Sequence, residues 1–181
     1  MTRGFSVSDP AEKRTFLPRP PCRFNPPKEV HSAKLMATGP FQTGKRTRVS
    51  GARAAGIRYE KKVHEEFVRR YSRYYINNVW FRYFDGGQAR WCQPDGLLID
   101  AKQGQIIIVE IKYQHTGDAW WQLHRLYLPV VRNFFGEEWV YRCVEVVRWY
   151  EATVYFPDSR LCEHVHLAPQ LPITGVHICT P

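Results

Sequence analysis

The chain has 181 residues, of which 44% are hydrophobic and 14% aromatic, which is enough for one folded domain and too much for a disordered chain. No run of 18 apolar residues is present, which excludes a membrane-spanning helix, and the first ten residues lack the apolar segment of a secretion signal, so we expect a cytoplasmic protein. The formal net charge of +9 favours a polyanionic partner over a cationic one.

Most of this charge lies at the start of the chain. The first 55 residues hold 11 Lys or Arg, 3 Asp or Glu, and seven of the 13 prolines. Because proline removes an N–H donor and fixes φ, residues 1–50 are predicted to form an extended basic arm rather than a helix or a central strand. Such an arm suits nucleic acid, although a solubilising tail or a packing strap is an equal alternative. The predicted phosphate contacts at its end are Lys45, Arg46, Arg48 and Arg53.

An amphipathic helix is predicted from Gly51 to Tyr75. Its apolar residues recur every three or four positions, as in a helix with one buried face: Tyr59, Val63, Phe67, Tyr71 and Tyr74. Glu60 precedes Val63 by three residues, so it is predicted to lie on or beside the buried stripe. Glu65 is the alternative acidic residue of this helix.

The next predicted elements are an aromatic strand at 77–84, a turn at 85–88, and a hairpin made of strands 96–100 and 105–112. If Asp100 pairs with Gln105, Asp95 lies opposite Glu110 at the open end of the hairpin. Glu110 and Lys112 share one face because side chains alternate along a strand. Both faces of 105–112 are apolar, which predicts a central strand covered by helices on each side.

A second helix is predicted over residues 117–136, with a kink at Pro129, followed by one or two strands within 137–156. This order of elements predicts an α/β fold with a mixed central sheet flanked by helices. The predicted organisation is an arm at 1–50, a core at 51–157 and a C-terminal extension at 158–181.

Three charged residues stand beside this apolar hairpin: Asp95, Glu110 and Lys112. Burying charge is costly, so such residues need a partner or a metal. Pro94-Asp95 followed by Glu110-Ile111-Lys112 resembles the PD-(D/E)XK nuclease superfamily, and Gly56 to Glu60, "GIRYE", is similar to the Gly-x-x-x-Glu opening helix of many such nucleases. The resemblance covers roughly residues 51–150 and implies a restriction-endonuclease-like core.

The resemblance also implies a metal site. Asp95, Glu110 and Glu60, with the carbonyl of Ile111, would hold Mg²⁺ or Mn²⁺, hard cations that prefer oxygen ligands. Lys112 would orient or deprotonate a water molecule or neutralise the transition state. Its pKa is expected to fall on burial, although the neighbouring carboxylates oppose that fall. The alternative is a plain salt bridge at the end of the hairpin.

The implied activity is hydrolysis of DNA phosphodiester bonds by an endonuclease of repair, recombination or phage DNA processing, placed in the host cytoplasm if phage-encoded. The Gly-x-x-x-Glu helix favours a structure-selective endonuclease that resembles the Holliday-junction resolvases. That resemblance implies a homodimer. An exonuclease, a restriction enzyme and a non-catalytic nucleic-acid-binding module remain alternatives, as does an interaction protein using exposed Trp120 and Trp121.

Further predicted contacts to nucleic acid lie beyond the hairpin: Gln114, His115, Gln122 and Arg125. Exonuclease-like members of the superfamily carry a Gln and a Tyr in the second helix, but Gln122 and Tyr127 are five residues apart instead of the expected four. The C-terminal ligand types Cys162, His164, His166, His177 and Cys179 match no zinc-finger spacing, so zinc is a minor alternative.

Overall fold

The computed structural model describes residues 24–40, 50–114, 117–149, 162–164 and 175–179. Their elements run in chain order as β1 (Val30–Met36), α1 (Gly51–Tyr71), β2 (Tyr75–Asn77), β3 (Trp80–Asp85), β4 (Gln88–Cys92), β5 (Gly96–Asp100), β6 (Gln105–Gln114), α2 (Gly117–Gln122), a π-helical turn (Leu123–Tyr127), α3 (Leu128–Phe135), β7 (Val140–Trp149), β8 (Cys162–His164) and β9 (Gly175–Cys179).

The strands form two sheets. The larger is mixed and has the order β2-β5-β6-β7-β9-β8, with β6 and β7 parallel. The smaller is antiparallel and has the order β1-β3-β4. The predicted mixed α/β architecture is therefore confirmed, but the aromatic strand, β3, belongs to the smaller sheet rather than to the mixed one.

Helix α1 covers one face of the mixed sheet. Its buried residues Tyr59, Val63 and Phe67 pack against a cluster from β6 and β7, made of Val109, Ile111, Val144 and Val146. The predicted extension of the helix to Tyr75 is wrong, because the Tyr74 N–H closes a turn onto the Tyr71 carbonyl at 2.8 Å. Tyr74 is exposed, and Tyr75 enters β2 opposite Leu98.

The predicted hairpin is confirmed, including its register. Asp100 pairs with Gln105, and Asp100 Oδ1 accepts the N–H groups of Lys102 at 3.0 Å and Gln103 at 3.2 Å, which holds the turn. Strand β6 is apolar on both faces, as predicted. Ile106 and Ile108 join the core under the second helical segment, while Val109 and Ile111 contact the α1 side.

The second helical segment, 117–135, covers the other face of the mixed sheet. It contains the π-helical turn, in which the Leu128 N–H donates to the Leu123 carbonyl five residues earlier, while the predicted kink at Pro129 stays a prediction. Pro129 follows at once in the first turn of α3. Proline cannot donate to, and clashes with, the carbonyl four residues earlier, and a wider turn accommodates this. None of the helices in the described ranges combines the length and apolarity needed to span a membrane.

Part of the predicted arm is strapped onto the core. Strand β1 pairs antiparallel with β3 as an edge strand. The Asp85 carboxylate accepts the N–H groups of Lys28 at 2.9 Å and Glu29 at 3.1 Å, and its other oxygen pairs with Arg90 at 3.1 Å. Residues 24–40 therefore match the alternative of a strap packed on the domain. The boundaries predicted for the arm, the core and the C-terminal extension stay predictions.

Candidate active site

The open end of the β5–β6 hairpin holds the predicted carboxylates. The backbone ladder stops at the pair Gly96 and Val109. Beyond this pair, the Ile111 N–H donates to a side chain instead of to a backbone carbonyl: Asp95 Oδ2 accepts it at 2.6 Å. Asp95 is thereby anchored to the residue that separates Glu110 from Lys112.

Glu110 is buried, with 2% of its surface exposed. Its Oε1 forms an ion pair with the Lys112 ammonium group. Its Oε2 is buried and has no hydrogen-bond partner among the described residues. The pKa of Glu110 is raised to about 8, mainly by burial and then by the charges of Asp95 and Glu145, against the opposing effect of Lys112.

Lys112 stays charged. Desolvation would lower the pKa of its ammonium group, but the carboxylates of Glu110, Asp95 and Glu145 outweigh that effect and raise the pKa. The expected fall in the pKa of Lys112 is therefore wrong, because three acidic groups surround one cation. Lys112 enters the site as a cation.

Glu145 is a buried acid that the sequence reasoning missed. It is the register partner of Glu110 on the parallel strand β7 and is 2% exposed. The neighbouring pair Ile108 and Cys143 lies in the core under the second helical segment, so Glu110 and Glu145 face the same side. A lone acid inside the run "CVEVV" was the available signal, the same one that singled out Glu110.

Glu60 lies beside the buried stripe rather than on it. Its side chain is 43% exposed, and its Oε1 lies 3.5 Å from His64 Nε2, one helical turn further on. Its charge still contributes to the raised pKa of Asp95, whose main cause is burial. A Cβ added at Gly56 would lie 3.9 Å from the Tyr113 Cβ, so close packing does not demand glycine there.

The π-helical turn brings Gln122 and Tyr127 together. A π-helix is closed by hydrogen bonds between residues five apart, and Gln122 Nε2 lies 3.4 Å from the Tyr127 hydroxyl. Tyr127 is buried, and its pKa is raised, mainly by desolvation and then by the charges of Glu110 and Asp95. The five-residue spacing, which weakened the resemblance, is thus compatible with a paired Gln and Tyr beside the carboxylates.

Two further residues beside Asp95 were also missed. His64 Nδ1 lies 2.6 Å from the Tyr75 hydroxyl, and the Tyr75 ring fills the space where a Cβ of Gly96 would be. No sequence motif marks either residue, since they meet only when α1 packs beside β2.

The described residues predicted to contact nucleic acid lie on α1, at the end of β6 and in the second helical segment. Arg53, Gln114 and Arg125 are exposed, and Arg125 lies over the Trp120 ring, 5.9 Å from its centroid. Trp120 and Trp121 are half-buried, not exposed as the interaction-protein alternative requires. Lys45, Arg46, Arg48, His115 and His166 lie outside the described residues, as do the side chains of Cys162, His164, His177 and Cys179.

The chemistry of the site fits a hard divalent cation. No group of three His, Cys, Asp or Glu side chains in the described ranges is arranged to hold a metal by itself. Mg²⁺, however, needs only one or two carboxylates and completes its shell with waters and substrate phosphate. Asp95 and Glu110 supply two, and the buried Glu110 Oε2 without a hydrogen-bond partner is the kind of acceptor that a cation would satisfy.

Comparisons of the chain with protein-family models, with curated proteins and with solved structures find no match. The function is therefore proposed from the residues of this site.

Proposed function

We propose that the protein is a Mg²⁺- or Mn²⁺-dependent nuclease that hydrolyses phosphodiester bonds of DNA. The observation that carries this proposal is the convergence of Asp95, Glu110 and Lys112 at one end of an apolar hairpin, with Glu110 Oε2 buried and without a hydrogen-bond partner. The pairing of the hairpin needs neither Glu110 nor Lys112, and their ion pair leaves Glu110 Oε2 buried without a hydrogen-bond partner, as an acceptor that a cation would satisfy.

Asp95 and Glu110 would hold the cation, with the Ile111 carbonyl and Glu60 as further ligands by resemblance. Their anchoring supports this role, because the Ile111 N–H holds Asp95 and the Lys112 ammonium group holds Glu110. When bound, such a cation supplies a Lewis acid for a phosphate oxygen and makes a water molecule more acidic.

Lys112 would stabilise the negative charge that grows on the attacked phosphate. Its pKa is raised, so the ammonium group remains protonated at neutral pH and acts as a cation rather than as a base. Gln122 and Tyr127 cover the same side of the sheet as polar groups that can orient the substrate. The finer assignments also belong to this proposal: a restriction-endonuclease-like core, and an endonuclease of repair, recombination or phage DNA processing acting as a homodimer.

The test is cleavage of labelled linear, single-stranded and four-way-junction DNA in the presence of Mg²⁺, Mn²⁺ or EDTA. Lys112→Ala should lower the cleavage rate by at least about 100-fold, because it removes the charge opposite the reacting phosphate. Lys102→Ala is the matched control, since Lys102 is an exposed lysine at the other end of the same hairpin. Metal-dependent cleavage that Lys112→Ala loses and Lys102→Ala keeps would support the nuclease proposal. The DNA that is cleaved fastest would then identify the class of nuclease.

Binding of DNA without cutting under every metal would contradict the catalytic proposal. The non-catalytic nucleic-acid-binding module would then be the better reading, since phosphate contacts give affinity without chemistry.

A further inference from the structure

A series of polar and packing contacts connects α1 to the backbone beside Asp95. His64 Nε2 lies 3.5 Å from Glu60 Oε1, and His64 Nδ1 lies 2.6 Å from the Tyr75 hydroxyl. In the tautomer that carries its proton on Nε2, facing the Glu60 carboxylate, Nδ1 accepts the O–H of Tyr75.

The end of this series of contacts is packed tightly against the strand that carries Asp95. Tyr75 is buried, and a Cβ at Gly96 would lie 2.4 Å from its ring and 2.5 Å from its hydroxyl oxygen. The Phe67 ring meets Tyr75 edge-on, with 5.1 Å between the centroids. Tyr75 thus packs against both Phe67 and Gly96, and a shift of its hydroxyl group towards Gly96 would press on the backbone next to Asp95.

Tyr75 also lies close enough to the carboxylates of Asp95 and Glu60 to interact with them electrostatically. Asp95 and Glu60 add to the raised pKa of Tyr75, whose main cause is desolvation, so the hydroxyl keeps the proton that it gives to His64. Asp95 itself has only one oxygen anchored by the backbone, through the Ile111 N–H. The remaining freedom of its strand is limited by the contact between Tyr75 and Gly96.

We propose, on the basis of the nuclease function above, that His64 and Tyr75 are positioning residues of this site. His64 holds the Tyr75 hydroxyl group against Gly96 and so sets where the Asp95 carboxylate lies relative to Glu110. Glu60, whose half-exposed side chain lies 3.5 Å from His64, helps to orient the imidazole ring.

Tyr75→Phe tests this series of contacts because it removes only the hydroxyl group and keeps the ring on Gly96. We expect kcat on the preferred DNA to fall about tenfold with KM unchanged within about twofold, since a small misplacement of a reacting group costs rate rather than binding. The melting temperature without metal should stay within about 3 °C of the wild type. Tyr74→Phe, the exposed neighbour, is the control and should behave as the wild type.

A pair of substitutions at His64 tests its contact with Tyr75 and its contact with Glu60 separately. His64→Asn places an amide at the position of Nδ1 and keeps the link to Tyr75, whereas His64→Gln reaches the position of Nε2 and keeps the link to Glu60. We expect His64→Asn to retain kcat within about threefold and His64→Gln to lose about tenfold, like Tyr75→Phe.

Three results would overturn this inference: a Tyr75→Phe enzyme with unchanged kcat, a loss of kcat that comes only with a drop in melting temperature beyond about 3 °C, or equal activity of the two His64 variants. The His64 pair decides the matter if Tyr75→Phe does not fold. Absence of metal-dependent cleavage by the wild type would overturn the proposed function and this inference together, while cleavage by the wild type with unaffected variants overturns the inference alone.

Discussion

Glu110 is the residue at which burial and charge conflict most strongly. Its carboxyl group has a pKa of about 8, compared with 4.5 for an ordinary glutamate, because it is desolvated and lies near Asp95 and Glu145. Lys112 offsets only part of that cost. A residue kept in so unfavourable a state is typical of a functional site.

This conflict predicts a pH-dependent stability. Between pH 4.5 and 8 the folded protein holds a proton on Glu110 that the unfolded chain releases, so the free energy of unfolding without metal should fall as the pH rises through this window. Glu110→Gln has no carboxyl group to titrate, so it removes this pH-dependent contribution to the free energy of unfolding. Its melting temperature relative to the wild type should therefore rise between pH 5 and pH 8, by at least about 2 °C.

Thermal unfolding in EDTA at pH 5, 6.5 and 8 measures this difference, with exposed Glu65→Gln as the control. Mg²⁺ should stabilise the wild type more at pH 8 than at pH 6, because ligands must lose their protons to bind metal, and should not stabilise Glu110→Gln. Parallel pH profiles for wild type and Glu110→Gln would contradict the assignment.

At the scale of elements, two glycines beside the site have opposite roles. Gly96 leaves room for the Tyr75 ring, whereas Gly56 lies inside α1 with only an ordinary contact 3.9 Å from its missing Cβ. Gly96→Ala should destabilise the protein because a Cβ 2.4 Å from the ring forces Tyr75 and His64 apart. Gly56→Ala should stabilise it by about 0.5–1 kcal/mol, since glycine is a poor helix former.

Urea unfolding of both variants measures these effects. The comparison also tests the resemblance of Gly56 to Glu60, "GIRYE", to an opening-helix motif. Loss of stability in Gly56→Ala would show a steric demand for glycine that the contact with Tyr113 does not predict.

The π-helical turn behaves as a one-residue insertion in a helix. Deleting exposed Arg125 would turn the Leu128-to-Leu123 hydrogen bond into an ordinary α-helical one and place Gln122 four residues before the former Tyr127. Both spacings keep Gln122 and the tyrosine on one face, so we expect a folded protein with a melting temperature lowered by no more than about 5 °C.

Deletion of Glu65 from the regular helix α1 is the matched control. It rotates everything beyond it by about 100°, so Phe67 comes to lie three instead of four residues after Val63 and its edge-on contact with Tyr75 is lost. The melting temperature should therefore fall by more than the limit of about 5 °C expected for the Arg125 deletion. Circular dichroism and thermal melts compare the two deletions. Equal damage from both would show that the π-helical turn is not an insertion.

For the whole molecule, the positive charge lies mainly before residue 56 and the candidate site lies after it. If the end of the arm contacts phosphates, the triple variant Lys45→Ala, Arg46→Ala and Arg48→Ala should reduce the slope of log affinity against log salt by about 2–3, roughly one per contact. The cleavage rate at saturating DNA should be unchanged.

Binding titrations between 50 and 300 mM salt, a range over which phosphate contacts strongly weaken, measure this slope. Lys61→Ala is the control because Lys61 is an exposed lysine of α1. An unchanged slope in the triple variant would assign these residues to solvation rather than to contact with DNA.

The sequence by itself determined the features that depend on local pattern. The buried stripe of α1, the Asp100–Gln105 register and the two apolar faces of β6 follow from periodicities of 3.6 and 2, which neighbouring residues impose on any regular helix or strand. The ion pair between Glu110 and Lys112 follows from the same alternation. Contacts set by local geometry can be read before the chain is folded.

Only the tertiary structure decided what depends on distant segments. Glu145 joins the site through the parallel pairing of β6 and β7, and His64 meets Tyr75 through the packing of α1 beside β2. The raised pKa of Lys112 also needs the carboxylates of Asp95, Glu110 and Glu145, which lie in three separate segments of the chain. Pairing and burial are properties of the assembled core, because residues far apart in the chain acquire a common environment only when the sheet and its helices come together.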